Sequence, residues 1–256
     1  MRLNTLLHYA KPSYLRQSRT GRCPVCSRRT VFVVVHPETI RENAYCLWCR
    51  SSSRNRHVAR CIVQTFSDRG IRRFGDLARA EHVSVYHLAA SGPFVRVWGR
   101  PANVTYSEYF DGCRSGERRD GVLCQDVQRL SFDDECFDLV VSEEVFEHVP
   151  DYRRGFAEVR RVLKPGGYHI FSVPFSLTHA TRERFELREG ERVPVLPVAS
   201  HGDPLRGTVP VFTDFGRDLP EVLAGLGFEV RLEWSRPEEE KCYGTFGSYT
   251  FVTRKM

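Results

Sequence analysis

The sequence predicts an α/β protein, a mainly parallel sheet with helices on both faces, preceded by a small cysteine-bearing module. Three observations carry this. Between Cys124 and Phe175 lie a short apolar run (Phe137–Val141), a polar loop (Ser142–Val149), an amphipathic stretch and a second apolar run (Tyr168–Val173). Strand, loop, helix and strand in that order make one βαβ unit, which implies a parallel sheet. Two Cys-x-x-Cys pairs mark the front module. Near the C-terminus, Phe228–Trp234 and Thr245–Thr253 read as strands joined by a polar loop (Pro237–Glu240), so the final pair is antiparallel.

At 256 residues the chain can bury one full α/β core and hold a small extra module. Apolar residues at 41% and charged residues at 27% are ordinary for a soluble protein. No run of 18 apolar residues occurs, and the opening MRLNTLLHYAKPSYLRQS lacks an apolar core followed by a small-residue cleavage site. The expected location is therefore cytoplasmic, with no membrane partner. Nine cysteines suit free thiols or metal ligands better than a disulfide framework. The net charge of +6 is unevenly placed: residues 1–75 hold fifteen Lys or Arg against three acidic residues (+12), and the remainder carries −6. Such a front half suits an anionic partner: nucleic acid, a phosphorylated substrate, or the acidic half of the same chain. Solvated surface arginine is the plain alternative.

Residues 1–20 read as an arm or short helix. Cys23, Cys26, Cys46 and Cys49 then follow as C-x2-C-x19-C-x2-C, the spacing of a four-thiolate Zn²⁺ site. Thiolates three residues apart on a tight turn reach one tetrahedral ion, and a hairpin brings two such turns together. Thr30–Val35 and Arg41–Tyr45 supply its strands. A redox pair and an iron site are the competing readings. Four protein ligands would make the ion structural, leaving no open position. A helix over Arg54–Asp68 uses Cys61 as a small core residue, and Gly70 and Gly75 bracket a linker into the second domain.

The segments DVQRLSFDDECFDLVVSEEVFEHV and RVLKPGGYHIFSVP resemble motifs of the class I S-adenosylmethionine-dependent methyltransferases, particularly the type 11 group. The resemblance covers Val83 onward, and CRSSSRNRH is similar to the cysteine-rich front end of some bacterial members. It implies a Rossmann-like fold, seven mainly parallel strands with the last antiparallel, behind a zinc-ribbon-like module. The domains expected are 1–75 (arm, zinc module, linking helix) and 76–256 (S-adenosylmethionine-binding methyltransferase), with a substrate lid at about 174–210.

Within that frame Val83–Leu88 is the first strand, and the loop after it meets the cofactor's methionine moiety. Class I enzymes usually place an acid and a glycine-rich turn here, because only glycine lets the backbone approach the ligand closely. This chain has His87 for the acid and Ala89, Ser91 and Pro93 for the glycines, with Gly92 retained. Asn103–Tyr106 is the second strand, after which Glu108 is placed to accept from both ribose hydroxyls. Asp111–Gly121 is a loop. Val122–Cys124 is a short strand, followed by Asp126 and Val127 at the adenine: the carboxylate accepts from the exocyclic amine and the Val127 amide donates to a ring nitrogen. Ser142 is expected against the cofactor, with Glu143 beside the sulfonium pocket. His148 has two readings, a general base for an acceptor hydroxyl or a helix-start residue held by hydrogen bonds.

Pro174–Pro210 lacks strong periodicity, and a connection this long is usually functional. His179, Arg182, Arg184, His201 and Asp203 are its candidates for substrate contact, and SHGDP resembles a feature of bacterial methyltransferases of glycan or natural-product pathways. Thr213–Gly225 reads as the last helix. The resemblance implies in-line methyl transfer to an oxygen or nitrogen, chemistry that needs no second metal. Three functions follow: a methyltransferase for a small molecule (sugar, nucleotide-sugar or secondary metabolite), an RNA methyltransferase gripping phosphates through its basic module, or a non-catalytic binding or scaffold protein with a degenerate cofactor loop.

Overall fold

The computed structural model describes residues 12–188, 191–203 and 207–256, with the backbone alone at Pro12, Leu15 and Asp203. The expected arm lies outside the described residues as far as residue 11. Strands β1 (Arg19–Arg22), β2 (Arg29–Val34) and β3 (Ala44–Cys46) form an antiparallel sheet in that order. The hairpin strand expected at Arg41–Tyr45 shifts, because Ile40–Asn43 winds into a helical turn. The two Cys-x-x-Cys turns are built alike. Ser27 N donates to Cys23 O (2.8 Å) and Arg50 N to Cys46 O (3.0 Å). Ser27 and Arg50 take left-handed φ values of 61° and 63° to close them.

Helix α1 (Ser53–Thr65) starts on a reciprocal cap: Asn55 N donates to Ser52 Oγ and Ser52 N to Asn55 Oδ1. The expected linker is core, since Phe74 stacks on Trp98 with ring centroids 4.4 Å apart. The main domain then runs through β4 (Val85–His87), α2 (Pro93–Trp98), β5 (Val104–Glu108), β6 (Arg118–Arg119), β7 (Val122–Cys124), β8 (Phe137–Glu143), α3 (Tyr152–Val162) and β9 (Leu163–Ser172). Pro93 opens α2, where a missing N–H costs nothing.

The stretch expected as a lid is a set of short strands: β10 (Phe175–Ser176), β11 (Arg182–Glu183), the hairpin β12 (Phe185–Arg188) and β13 (Glu191–Pro194), and the hairpin β14 (Ser200–Asp203) and β15 (Gly207–Pro210). β16 (Thr213–Gly216) pairs with β10 and β11, so the expected helix from Thr213 begins late, as α4 (Leu219–Gly225), with Pro220 in its first turn. β17 (Phe228–Trp234) follows. The polar loop expected at Pro237–Glu240 is helix α5 (Pro237–Tyr243), before β18 (Tyr249–Lys255).

The main sheet has the order β17-β18-β9-β8-β4-β5-β7-β6. The β4–β5, β5–β7, β4–β8 and β8–β9 pairs are parallel, and β18 is antiparallel to both neighbours. It has eight strands where seven are expected, because the two-residue β6 adds an antiparallel edge. Alternate residues serve opposite faces. Val85, Leu139, Val141, Ile170 and Val252 pack with α1, α2 and the cysteine module. Tyr86, Val140, Phe171 and Phe251 pack with α3 and α4. One layer therefore joins the front module to the sheet. Buried Arg56 of α1 completes the joint, donating to the carbonyls of Ala44, Ser51, Tyr243 and Gly244. No helix among the described residues is long and apolar enough to cross a membrane.

Candidate functional site

The chain leaves β4 toward β5 and β7, then returns to build β8 and β9 on the other side. The carboxyl ends of β4 and β8 thus flank the switch point where doubly wound sheets bind ligands. A cleft of about 980 Å³ opens there. Ala89 and Ser91 after β4, Glu108 at the end of β5, Asp126 and Val127 after β7, and Glu143 at the end of β8 all line it. Glu108 also accepts from Ala90 N (2.9 Å), tying the β4–α2 loop to the end of β5. Asp126 Oδ1 accepts from Gln128 N (2.9 Å) and Nε2 (3.0 Å), so the loop sets the carboxylate before any ligand arrives.

Two expected cofactor residues lie elsewhere. Ser142 is buried away from the cleft and bonds His169 Nε2 at 2.9 Å, because alternation along β8 turns it into the sheet layer. Gly92 does not line the cleft either. Its φ of 100° and ψ of −169° turn the chain into α2, a conformation that a side chain would strain. His87, in the place of the usual acid, is enclosed by Phe94, Trp98 and Tyr106, with Nε2 3.9 Å from Glu143 Oε2.

The front module builds one wall. Arg41, Glu42 and Tyr249 line the cleft, with the Arg41 guanidinium 4.4 Å over the Tyr249 ring. Arg41 pairs with Glu144 (3.1 Å), Arg54 with Glu42 (2.9 Å) and Glu143 (3.5 Å), and Asn55 Nδ2 donates to Glu143 Oε1 (2.6 Å). Burial pushes the Glu144 carboxyl up, but Arg54 and Arg41 outweigh it and hold it below the usual range. Glu144 adopts a left-handed φ of 53°, so these arginines also fix a strained backbone. Local patterning gives no sign of Arg41, Glu42 or Tyr249. The charge imbalance between the two halves was the available signal.

After Glu144 the chain makes a 3-10 turn, Phe146–His148, stacked on α3 through Phe146 and Phe156. His148 Nδ1 donates to Pro210 O at 2.7 Å, and its ring lines the cleft. Glu147 is fully buried. Burial, with Glu144 close by, raises its carboxyl well above the usual range. Among the lid candidates, His179, Arg182, Arg184 and His201 line a second cavity of about 370 Å³, and His201 lines both. Arg184 is held by Asp214 (2.7 Å) and Pro197 O (2.6 Å), and Arg182 reaches Asp214 at 3.6 Å. The Asp203 side chain lies outside the described residues.

At the other end of the module the sulfurs of Cys23, Cys26, Cys46 and Cys49 lie within 4.8 Å of one another. The Cys23–Cys49 and Cys26–Cys46 separations are 3.6 and 3.9 Å. Four sulfurs at about 2.3 Å from one ion in tetrahedral array are about 3.8 Å apart, so the donor set fits Zn²⁺.

Residues 89–171 match the family model described as "Methyltransferase domain", and the strand order around them carries the antiparallel β18 between β17 and β9. Residues 89–171 thus carry the sequence of a methyltransferase domain. A 109-residue stretch, 43% of the chain and 27% of the relative, is 32% identical to 24-methylenesterol C-methyltransferase 2 of Arabidopsis thaliana. A 62-residue stretch, 23% of either protein, is 45% identical to the phthiotriol/phenolphthiotriol dimycocerosates methyltransferase of Mycobacterium tuberculosis. The chain thus spans about a quarter of the length of these curated relatives. An S-adenosylmethionine-dependent methyltransferase structure from Mesorhizobium loti aligns over 68% of this chain and 91% of its own, at 20% identity and a TM-score of 0.42. The matched residues 89–171 run from the β4–α2 loop through β5, β7, β8 and α3 into most of β9.

Proposed function

We propose that the protein is an S-adenosylmethionine-dependent methyltransferase acting on the oxygen or nitrogen of a small-molecule acceptor. One observation carries this reading: two carboxylates, Glu108 and Asp126, stand on adjacent strand ends of a methyltransferase domain and line one cleft with the backbone of Ala89 and Ser91. In this reading Glu108 takes the ribose hydroxyls, Asp126 and the Val127 amide the adenine edge, and Ala89, Ser91 and Glu143 the methionine end; that all of them line one cleft supports it. S-adenosylmethionine would supply an electrophilic methyl on sulfur, which leaves the protein chiefly alignment and water exclusion to perform. Zn²⁺ on Cys23, Cys26, Cys46 and Cys49 is structural, and the cytoplasm, which keeps thiols reduced, is the proposed location.

The small-molecule acceptor draws support from two sources. The relatives are named for a methylenesterol and for phthiotriol dimycocerosates, and lid residues line a second, open cavity beside the cleft. The alternative, an RNA methyltransferase, rests on the basic front half. Four of those fifteen charges pair with carboxylates of the second half: Arg41 and Arg54 on Glu143 and Glu144, Arg60 on Glu239, Arg69 on Asp138. The acidic half of the chain is thus the partner that the charge imbalance favours. Calorimetry with S-adenosylmethionine tests the enzyme reading. Glu108→Ala should weaken binding roughly 10–100-fold, the value of charge-assisted hydrogen bonds. No binding by folded, zinc-loaded wild type would leave the scaffold reading in place.

A further inference from the structure

We propose that Glu147, His148 and His201 form a divalent transition-metal site where the cleft meets the lid cavity. Their ligating atoms lie within 4.8 Å of one another. His148 Nε2 is 3.3 Å from His201 Nδ1 and 3.6 Å from Glu147 Oε1, and His201 Nδ1 is 3.9 Å from the same oxygen. A point equidistant from these three atoms is about 2.1 Å from each, the bond length of Zn²⁺ to imidazole nitrogen or carboxylate oxygen.

Two further features favour an ion over a self-contained hydrogen-bond cluster. Glu147 is fully buried, yet neither carboxylate oxygen has a hydrogen-bond partner. A buried carboxylate in that state is costly, and a cation facing it offsets the cost. In neutral His148 the Nδ1 proton goes to Pro210 O, which leaves the Nε2 lone pair aimed at Glu147 and His201. A backbone carbonyl on the far ring nitrogen is the arrangement that orients ligating histidines. Glu144, the other carboxylate nearby, is already committed to Arg41 and Arg54.

Two imidazoles and one carboxylate suit Zn²⁺, Fe²⁺ or Co²⁺ rather than Mg²⁺ or Ca²⁺, and three protein ligands leave coordination positions open. His148 and His201 line the cleft, and Glu147 and His201 line the lid cavity, so the open positions face the space left for an acceptor. Resting on the methyltransferase reading, the site selects an acceptor that presents a hydroxyl: coordination orients the oxygen and eases loss of its proton to water. It also adds a tie between the β14–β15 hairpin and the β8–α3 loop, beside the hydrogen bond from His148 to Pro210 O.

The experiment uses full-length protein freed of weakly held metal with EDTA, the cysteine zinc retained, and titrated with Co²⁺ while visible absorption is recorded. One equivalent should produce d–d bands without new thiolate-to-cobalt charge-transfer absorption. Glu147→Gln, nearly isosteric, and His201→Ala, on a partly exposed hairpin, should each weaken uptake at least about tenfold while the cysteine-bound zinc stays at one per chain. Absence of saturable Co²⁺ uptake in the wild type, or uptake unchanged by both variants, overturns the site. Calorimetry with S-adenosylmethionine on the same samples separates the two readings, since Co²⁺ uptake without cofactor binding would sink the enzyme reading and spare the metal site.

Discussion

Replacing Arg56 by methionine keeps most of the side-chain volume and removes every donor. In the native protein its guanidinium donates to the carbonyls of Ala44, Ser51, Tyr243 and Gly244 and lies 4.3 Å over the Phe32 ring. Burial lowers its pKa to about 10, so it remains charged at neutral pH. No carboxylate forms an ion pair with it among the described residues; the charge is dispersed over carbonyl oxygens. Ser51 O also accepts from Cys46 N, but Tyr243 O and Gly244 O depend on Arg56. Each orphaned acceptor costs about 1–3 kcal/mol, and less favourable packing on Phe32 adds to that. The expected loss is about 4 kcal/mol, a large part of the ~5–15 kcal/mol that holds a domain together. With a denaturant slope near ~3 kcal/mol per molar urea, the midpoint should fall by about 1.3 M. Arg56→Lys should recover less than half, because an ammonium cannot span the same fork of acceptors. A loss below about 1 kcal/mol for Arg56→Met, measured by urea unfolding of zinc-loaded protein, would refute the view that this side chain joins module to sheet.

Three further outcomes are expected. Burial acts to raise the Asp138 carboxyl, but hydrogen bonds from Lys164, Ser84 and Arg69 outweigh it and bring the pKa down to about 2. That contribution, about 2 kcal/mol, is present above the unfolded value and lost as pH falls from about 5 toward 2. Asp138→Asn should flatten this limb of a stability–pH curve. His57 and His169 are buried neutral, with pKa values lowered by burial to about 4 and about 3. The unfolded chain therefore takes up protons first, and stability should drop by about 2 kcal/mol per ring between pH 7 and 5. In His169→Gln, chemical denaturation should show about half that slope. Releasing the proposed zinc with a mercurial should weaken S-adenosylmethionine binding as well as stability, since Arg41 sits between β2 and β3; unchanged calorimetric affinity would separate the module from the cleft.

The parts legible in the sequence are those whose cause is local. Phe137–Val141 and the helix after Asp151 announce themselves by periodicity, and the paired cysteines by spacing. That Glu108 and Asp126 line the cleft follows from strand ends of a parallel sheet being ligand positions in such folds. What escaped depends on partners far along the chain. Thr213–Gly216 has the composition of a helix start, yet β10 and β11 recruit it as a strand. Ser142 is one residue out of phase with the cleft, which only the pleat of β8 decides. Arg41 gains its role from Glu144, 103 residues away. Glu147 carries no such signal, because burial and missing partners have no signature in a string of residues.

The layer shared by α1 and the sheet bears on how this protein is handled. Cutting at residue 75 would strip Val58 and Ile62 from Val85, Leu139 and Val252, leaving one side of the sheet wet. The same cut would set Glu143 and Glu144 loose from Arg54, Asn55 and Arg41. An excised catalytic half should therefore be recovered aggregated or not at all, and crystallisation or evolution experiments are best run on the uncut polypeptide.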